Sequence, residues 1–84
     1  MLGAAGVDVG RSAALIALGR LDEAEALLRA ALLNAPQDAR LYKNLGLVTH
    51  ERGDLDAARD LFERALELAP EWDLPRQNLE GLER

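Results

Sequence analysis

Two stretches of this chain lie over each other when one is shifted by 34 positions. Gly19–Pro36 reads GRLDEAEALLRAALLNAP and Gly53–Pro70 reads GDLDAARDLFERALELAP, with nine of 18 columns identical. Chance can match Ala and Leu in a chain rich in both. It does not also set Gly at one end and Pro at the other in register. A stride of this length marks stacked supersecondary units, each too small to bury its apolar face alone.

Each unit reads as a helical hairpin. Gly53 permits the left-handed backbone that ends one helix and opens a tight turn. Asp54 is a good N-cap for the next helix, and Asp56 suits its positive end. Leu55, Ala58, Leu61, Phe62, Ala65, Leu66 and Ala69 then recur on one helical face, and Pro70 stops the run. Gly19, Leu21, Ala24, Leu27, Leu28, Ala31, Leu32 and Pro36 repeat the scheme, with Arg20 in place of the capping Asp. The segment before Gly53 is helical too, capped by Asp38 and carrying Leu41, Tyr42, Leu45, Val48 and Thr49. Gly46 sits inside it at a cost of roughly 1 kcal/mol against Ala, which makes sense where another helix approaches closely. Ala58 and Ala65 suit the same contact. Composition agrees: Ala and Leu supply 15 and 18 of the 84 residues, while aromatic residues number three. That balance favours helix over sheet.

Several kinds of chemistry are missing. With no cysteine, thiolate metal sites, iron–sulfur clusters, disulfides and a cysteine nucleophile are excluded. No cofactor is expected. The net charge of −5 and the lack of a basic tail argue against nucleic acid. No apolar run approaches the roughly 20 residues that span a bilayer, and Met1 to Gly6 lacks the basic start of a secretory signal. A cytoplasmic location is the expectation. Catalysis is not expected. Ser12 and His50 are the single Ser and His, with no strained turn to present the Ser, so Ser12 reads as a surface polar residue. Glu25–Arg29, Arg59–Glu63 and Asp60–Arg64 have the spacing of helix-supporting ion pairs.

On these residues the chain resembles the tetratricopeptide repeat. Residues 39–72 follow one whole unit, with Tyr42, Leu45 and Gly46, then Ala58 and Phe62, then Pro70 at the family's offsets. Thr49 stands where an aromatic is usual. Residues 5–38 resemble a degenerate first unit whose second half (Gly19, Ala24, Leu28, Ala31, Pro36) is good. In its first half Asp8, Arg11 and Ser12 replace an aromatic, a Leu and a Gly. Gly3, Gly6 and Gly10 weaken the helix there, which is expected over about Asp8 to Leu18. Residues 73–84 look like a capping helix, with Asp73 at its start and Pro75 in its first turn. The resemblance implies an all-α fold, an α-solenoid of two stacked helix-turn-helix repeats plus a C-terminal capping helix, in a single domain over 1–84.

The resemblance also implies a function, a protein–protein interaction module whose first helices line a concave groove for a peptide or helix. The groove offsets fall on Arg40, Lys43, Asn44, Leu47 and His50, with Leu74, Gln77 and Asn78 from the terminal helix. The first helix adds Val9, Ala13 and Ile16. Ala39 to His50 carries Arg40 and Lys43 and no acid, so an acidic partner segment is the expected guest, with Asn44 donating hydrogen bonds. The competing reading is a solvated helix surface. A clamp for chaperone carboxyl termini is not expected, because Asn44 alone matches that set. Trp72 reads as packing between the second hairpin and the terminal helix, or else as an exposed anchor. The alternative function is a self-associating structural repeat or a piece of a longer repeat protein, with homo-oligomers forming through exposed repeat ends.

Overall fold

The computed structural model describes residues 3–82, and all its elements are helices. They are α1 (Gly3–Ala17), α2 (Leu21–Asn34), α3 (Ala39–Glu51), α4 (Leu55–Leu68) and α5 (Asp73–Leu82). Met1 and Leu2, and the last two residues assigned to the capping helix, Glu83 and Arg84, lie outside the described residues. α1 pairs with α2 and α3 with α4. α3 packs against both helices of the first hairpin, and α5 against α4. The protein is all-α, a short solenoid of two hairpins closed by one helix.

The same turn closes both hairpins. Gly19 and Gly53 have φ of 76° and 85°, a region where other residues are strained. At the first turn, the amides of Gly19 and Arg20 donate to the carbonyls of Ile16 and Leu15, at 3.0 and 2.9 Å. At the second, Gly53 and Asp54 donate to His50 and Thr49, both at 2.9 Å. These are paired Schellman bonds, which satisfy carbonyls at the helix end. Asp54 then caps α4 by accepting from the Ala57 amide at 3.1 Å. Arg20 makes no cap bond and pairs with Glu23 instead.

The linkers between hairpins repeat as well. The amides of Asp38 and Trp72 donate to Ala35 and Ala69, at 3.2 and 3.1 Å. The carbonyl of Pro36 accepts from the Tyr42 hydroxyl at 2.7 Å, and that of Pro70 from the Arg76 guanidinium at 3.1 Å. Tyr42 and Arg76 are 34 positions apart in the sequence, so different side chains hold equivalent linkers.

The core joins the hairpins. Ala24, Leu28 and Ala31 of α2 meet Leu41, Leu45 and Val48 of α3, with Val9, Leu15 and Ile16 of α1 packed against them. Each fully buried Leu contributes about 1.5–3 kcal/mol. Within the second hairpin, a Cβ on Gly46 would lie 2.5 Å from Cε1 of Phe62. Phe62 is buried and would have to shift to admit that carbon, so this contact explains the mid-helix glycine. The radius of gyration is 11.8 Å, against roughly 12 Å for a compact chain of this length.

Three expectations change. α1 begins at Gly3 rather than near Asp8 and ends at Ala17. Val9, Leu15 and Ile16 are packed, and a nucleated helix extends cheaply, one hydrogen bond per residue. Ser12 is completely buried, not a surface residue. It donates to the Val9 carbonyl at 2.9 Å and accepts from Asn44 at 3.1 Å. Glu25–Arg29 forms at 3.0 Å. Arg59 and Arg64, however, pair with Asp56 and Glu67, at 3.5 and 3.7 Å, not with Glu63 and Asp60. On an exposed helix the partners one turn either way compete at nearly equal cost, and each pair is worth about 0–1 kcal/mol.

Two glycine substitutions should act in opposite directions. Gly46→Ala forces overpacking against Phe62, at about 1–3 kcal/mol, partly offset by about 1 kcal/mol of helix propensity. A methyl group added at Gly10 has nothing within 4 Å of it, so Gly10→Ala should stabilise by up to about 1 kcal/mol. Thermal unfolding should show the first lowering Tm and the second raising it, by roughly 4–8 °C per kcal/mol. A rise in both would remove the Phe62 contact as the reason for Gly46.

Candidate partner-binding site

Helical spacing separates two faces of α3. Leu41, Leu45 and Val48 point into the core. Arg40, Lys43, Leu47 and His50 recur every three or four residues on the opposite side. The first three are half-buried and His50 is exposed. α1 lies beside α3, with Ala13 exposed and Val9 and Ile16 half-buried. Val9 and Ile16 are largely taken up by the contact between hairpins, so they contribute less to the wall than their offsets suggest.

Asn44 is beneath this wall rather than on it. It is 1% exposed. Its Nδ2 donates to Ser12 Oγ at 3.1 Å and to the Val9 carbonyl at 3.3 Å, while Oδ1 is buried without a hydrogen-bond partner. The expectation that Asn44 donates to a guest is therefore corrected: its donors tie α3 to α1. That tie joins positions 32 and 35 apart in the sequence, and no local pattern signals it.

The charge of the wall also differs from its sequence. Arg40 donates twice to Asp38, at 2.9 and 2.7 Å. Asp38 also accepts from the Arg40 amide at 3.0 Å as the N-cap of α3. The hydrogen bonds from the Arg40 side chain hold the Asp38 carboxyl below its ordinary 3.8. Arg40 is thus neutralised from the turn before it. Lys43 lies 5.7 Å from the centroid of the Trp72 ring, and burial pushes its pKa down from 10.5. Trp72 is half-buried and packs at the entry to α5, in line with the packing reading.

Leu74 and Gln77 are exposed and Asn78 is half-buried. α5 is seated on α4 and does not pack closely on α3. The structure therefore brings Arg40, Lys43, Leu47 and His50 into one strip and leaves the α5 residues to one side. An open depression of about 670 Å³ adjoins the strip at Arg40, between the Pro36 linker and the end of α4 at Leu68 and Ala69. Sequence reading missed it, because it joins a turn to the end of a helix that is distant along the chain. Among the described residues no helix is long and apolar enough to cross a membrane.

Asp38→Asn isolates the ion pair, since Asn remains a good N-cap. A depressed carboxylate pKa stabilises the fold fully above the ordinary value, and that stability is lost as pH falls through the folded value. The wild type should exceed the variant by at most about 1 kcal/mol near neutral pH, because Arg40 is partly exposed. The gap should close as pH falls below about 3.8. Urea unfolding across that range checks it, and a gap independent of pH would count against the pair.

Comparison with known proteins follows the same lines. The human and mouse proteins named Protein O-mannosyl-transferase TMTC1 are each 38% identical to this chain over 64 residues. The match covers 76% of this chain but 7% of each of those proteins, so the chain spans a small part of their length. No solved structure matches. The tetratricopeptide repeat matches residues 4–71, most of the chain and both hairpins, and on that match and this architecture the chain belongs to the tetratricopeptide repeat family.

Proposed function

We propose that this protein is a docking module that binds a segment of a partner protein along the α3 wall. One observation carries the reading. Lys43, Leu47 and His50 form a strip of mixed polarity on the side of α3 away from the core, the first two half-buried and His50 exposed. Repeats of this family generally mediate protein–protein interaction, which supports it. The relatives' transferase title comes from proteins of which this chain matches 7%, and it is no basis for assigning that activity here. The buried Ser12 and exposed His50 offer no nucleophile with a base beside it, so the reading is a binding module and not an enzyme.

A second reading has its own observation. Leu41, Leu45 and Val48 of α3 are buried against the first hairpin. The equivalent positions of the first repeat are Val7, Arg11 and Ala14, and all three are exposed. With Leu18, 70% exposed, they make a stripe along α1 that another copy of the chain can cover.

The tests differ. A partner segment isolated with the purified chain should perturb backbone NMR signals of α3 and spare those of α2. Leu47→Asp should weaken its binding by about tenfold, while Leu33→Asp on the exposed side of α2 should not; tenfold corresponds to about 1.4 kcal/mol. Perturbations confined to α2 and α4 would refute the wall. For the second reading, sedimentation should show concentration-dependent dimers that Leu18→Glu abolishes. A monomer at all concentrations would end it.

A further inference from the structure

We infer that Lys43 and Trp72 form a subsite for an acidic side chain, Asp or Glu, of a segment lying on the α3 wall. The inference rests on the docking reading above and adds the chemistry of one contact.

The first observation is an imbalance of charge. Seven arginines, Arg40 among them, have a carboxylate within 4.0 Å. Lys43 has none among the described residues. Arg11 shares that lack, but it is exposed on the far stripe of α1. Among the described residues, Lys43 alone is a half-buried cation without an acid.

The second observation is what lies beside it. The face of Trp72 attracts an ammonium through the ring quadrupole. A ring face cannot take the three N–H donors of a lysine. The ammonium therefore lies beside an aromatic face without a carboxylate partner among the described residues, and burial has removed part of its water. A carboxylate arriving from the open side would accept those donors in a charge-assisted bond. The methylenes of a Glu or Asp would meet the edge of the indole.

The third observation chooses the source of the carboxylate. A chain terminus held by its own carboxylate needs several converging donors. Arg40 is committed to Asp38, and the Asn44 amide to Ser12 and Val9. A single cation remains, which suits a side chain anchored elsewhere along its backbone. The protein's net charge of −5 repels acidic partners in general, so this contact selects at short range where the two half-buried groups meet.

The experiment is selection of random peptides on the intact 84-residue chain from two displayed libraries. In one the C-terminal end of each peptide is fused, and in the other it is free. The wild type should enrich Asp or Glu at one fixed position of the fused library. Lys43→Met keeps the stem over Trp72 and removes the charge; it should lose that enrichment while still selecting peptides, and Lys43→Arg should keep it. A selected peptide should bind Lys43→Met roughly ten- to a hundredfold more weakly than wild type, the range for one charged hydrogen bond. Its binding should change the emission of Trp72, the single tryptophan. Circular dichroism checks that each variant is folded. Selection without acidic enrichment, enrichment that survives Lys43→Met, or enrichment confined to free C-termini would overturn the subsite and leave the docking reading standing. No selection from either library on the wild type would overturn both.

Discussion

The contact between α2 and α3 holds the rest in place. Ala24, Leu28 and Ala31 on one side meet Leu41, Leu45 and Val48 on the other. The alanines let the two backbones approach, and the leucines fill the space that remains. Neither hairpin can bury these faces by itself. The position of α1 beside α3, and hence the wall, follows from this joint. Asn44 adds direction to it. Its two donor bonds to α1 fit one register, and a slip would strand both the amide and the Ser12 hydroxyl away from water. Stranding a buried polar group costs about 1–3 kcal/mol. The orphaned Oδ1 already carries some of that cost, so the pair acts more through register than through net stability.

Repetition in this chain preserves positions and changes the chemistry. Asp38 and Trp72 occupy the same place in successive linkers. Each uses its amide to close the same turn, and each then faces a cation on α3. Asp38 neutralises Arg40. Trp72 shelters Lys43 without neutralising it. One position per repeat thus decides whether a cation on the wall is already paired or available. The Tyr42 and Arg76 bonds to their prolines follow the same rule, a hydroxyl and a guanidinium serving one carbonyl geometry.

What the sequence showed plainly was local backbone logic. Gly19 and Gly53 end helices because their φ is positive. Asp38 and Asp54 cap because a carboxylate just before a helix has free amides to meet. Gly46 and the alanines foretold close helices. What the sequence hid are pairings outside the spacings by which partners are recognised, some of them far along the chain. Ser12 looked like a surface residue because no turn presents it and three glycines interrupt the start of its helix, and the partner that meets it in the interior, Asn44, lies 32 positions on. Asp38 was legible as a cap, but its second oxygen was not. The Asp38–Arg40 pair lies at i, i+2, outside the spacings by which helix partners are recognised. Lys43 and Trp72 meet across 29 positions of sequence, and periodicity within one helix says nothing about such a contact.

The two ends of the stack differ, and the difference bears on how binding and stability are linked. α5 leaves Arg76, Gln77 and Glu80 exposed together with Leu74. α1 leaves Val7 and Leu18 exposed, at 59% and 70%. Two hairpins and a helix are close to the fewest units that such a stack needs. The joint between hairpins is the contact they share, and opening it exposes the apolar faces of α2 and α3 together. A guest lying along α3 and touching Ala13 of α1 bridges that joint. It binds the stacked form and not the opened one, so it stabilises the stack by mass action. A ligand covering the α1 stripe braces the outer side of the first hairpin and leaves the joint as it was. On the proposed docking reading, binding on the wall is thus coupled to closure of the core, and the register set by Asn44 and Ser12 fixes the position of α3 against α1.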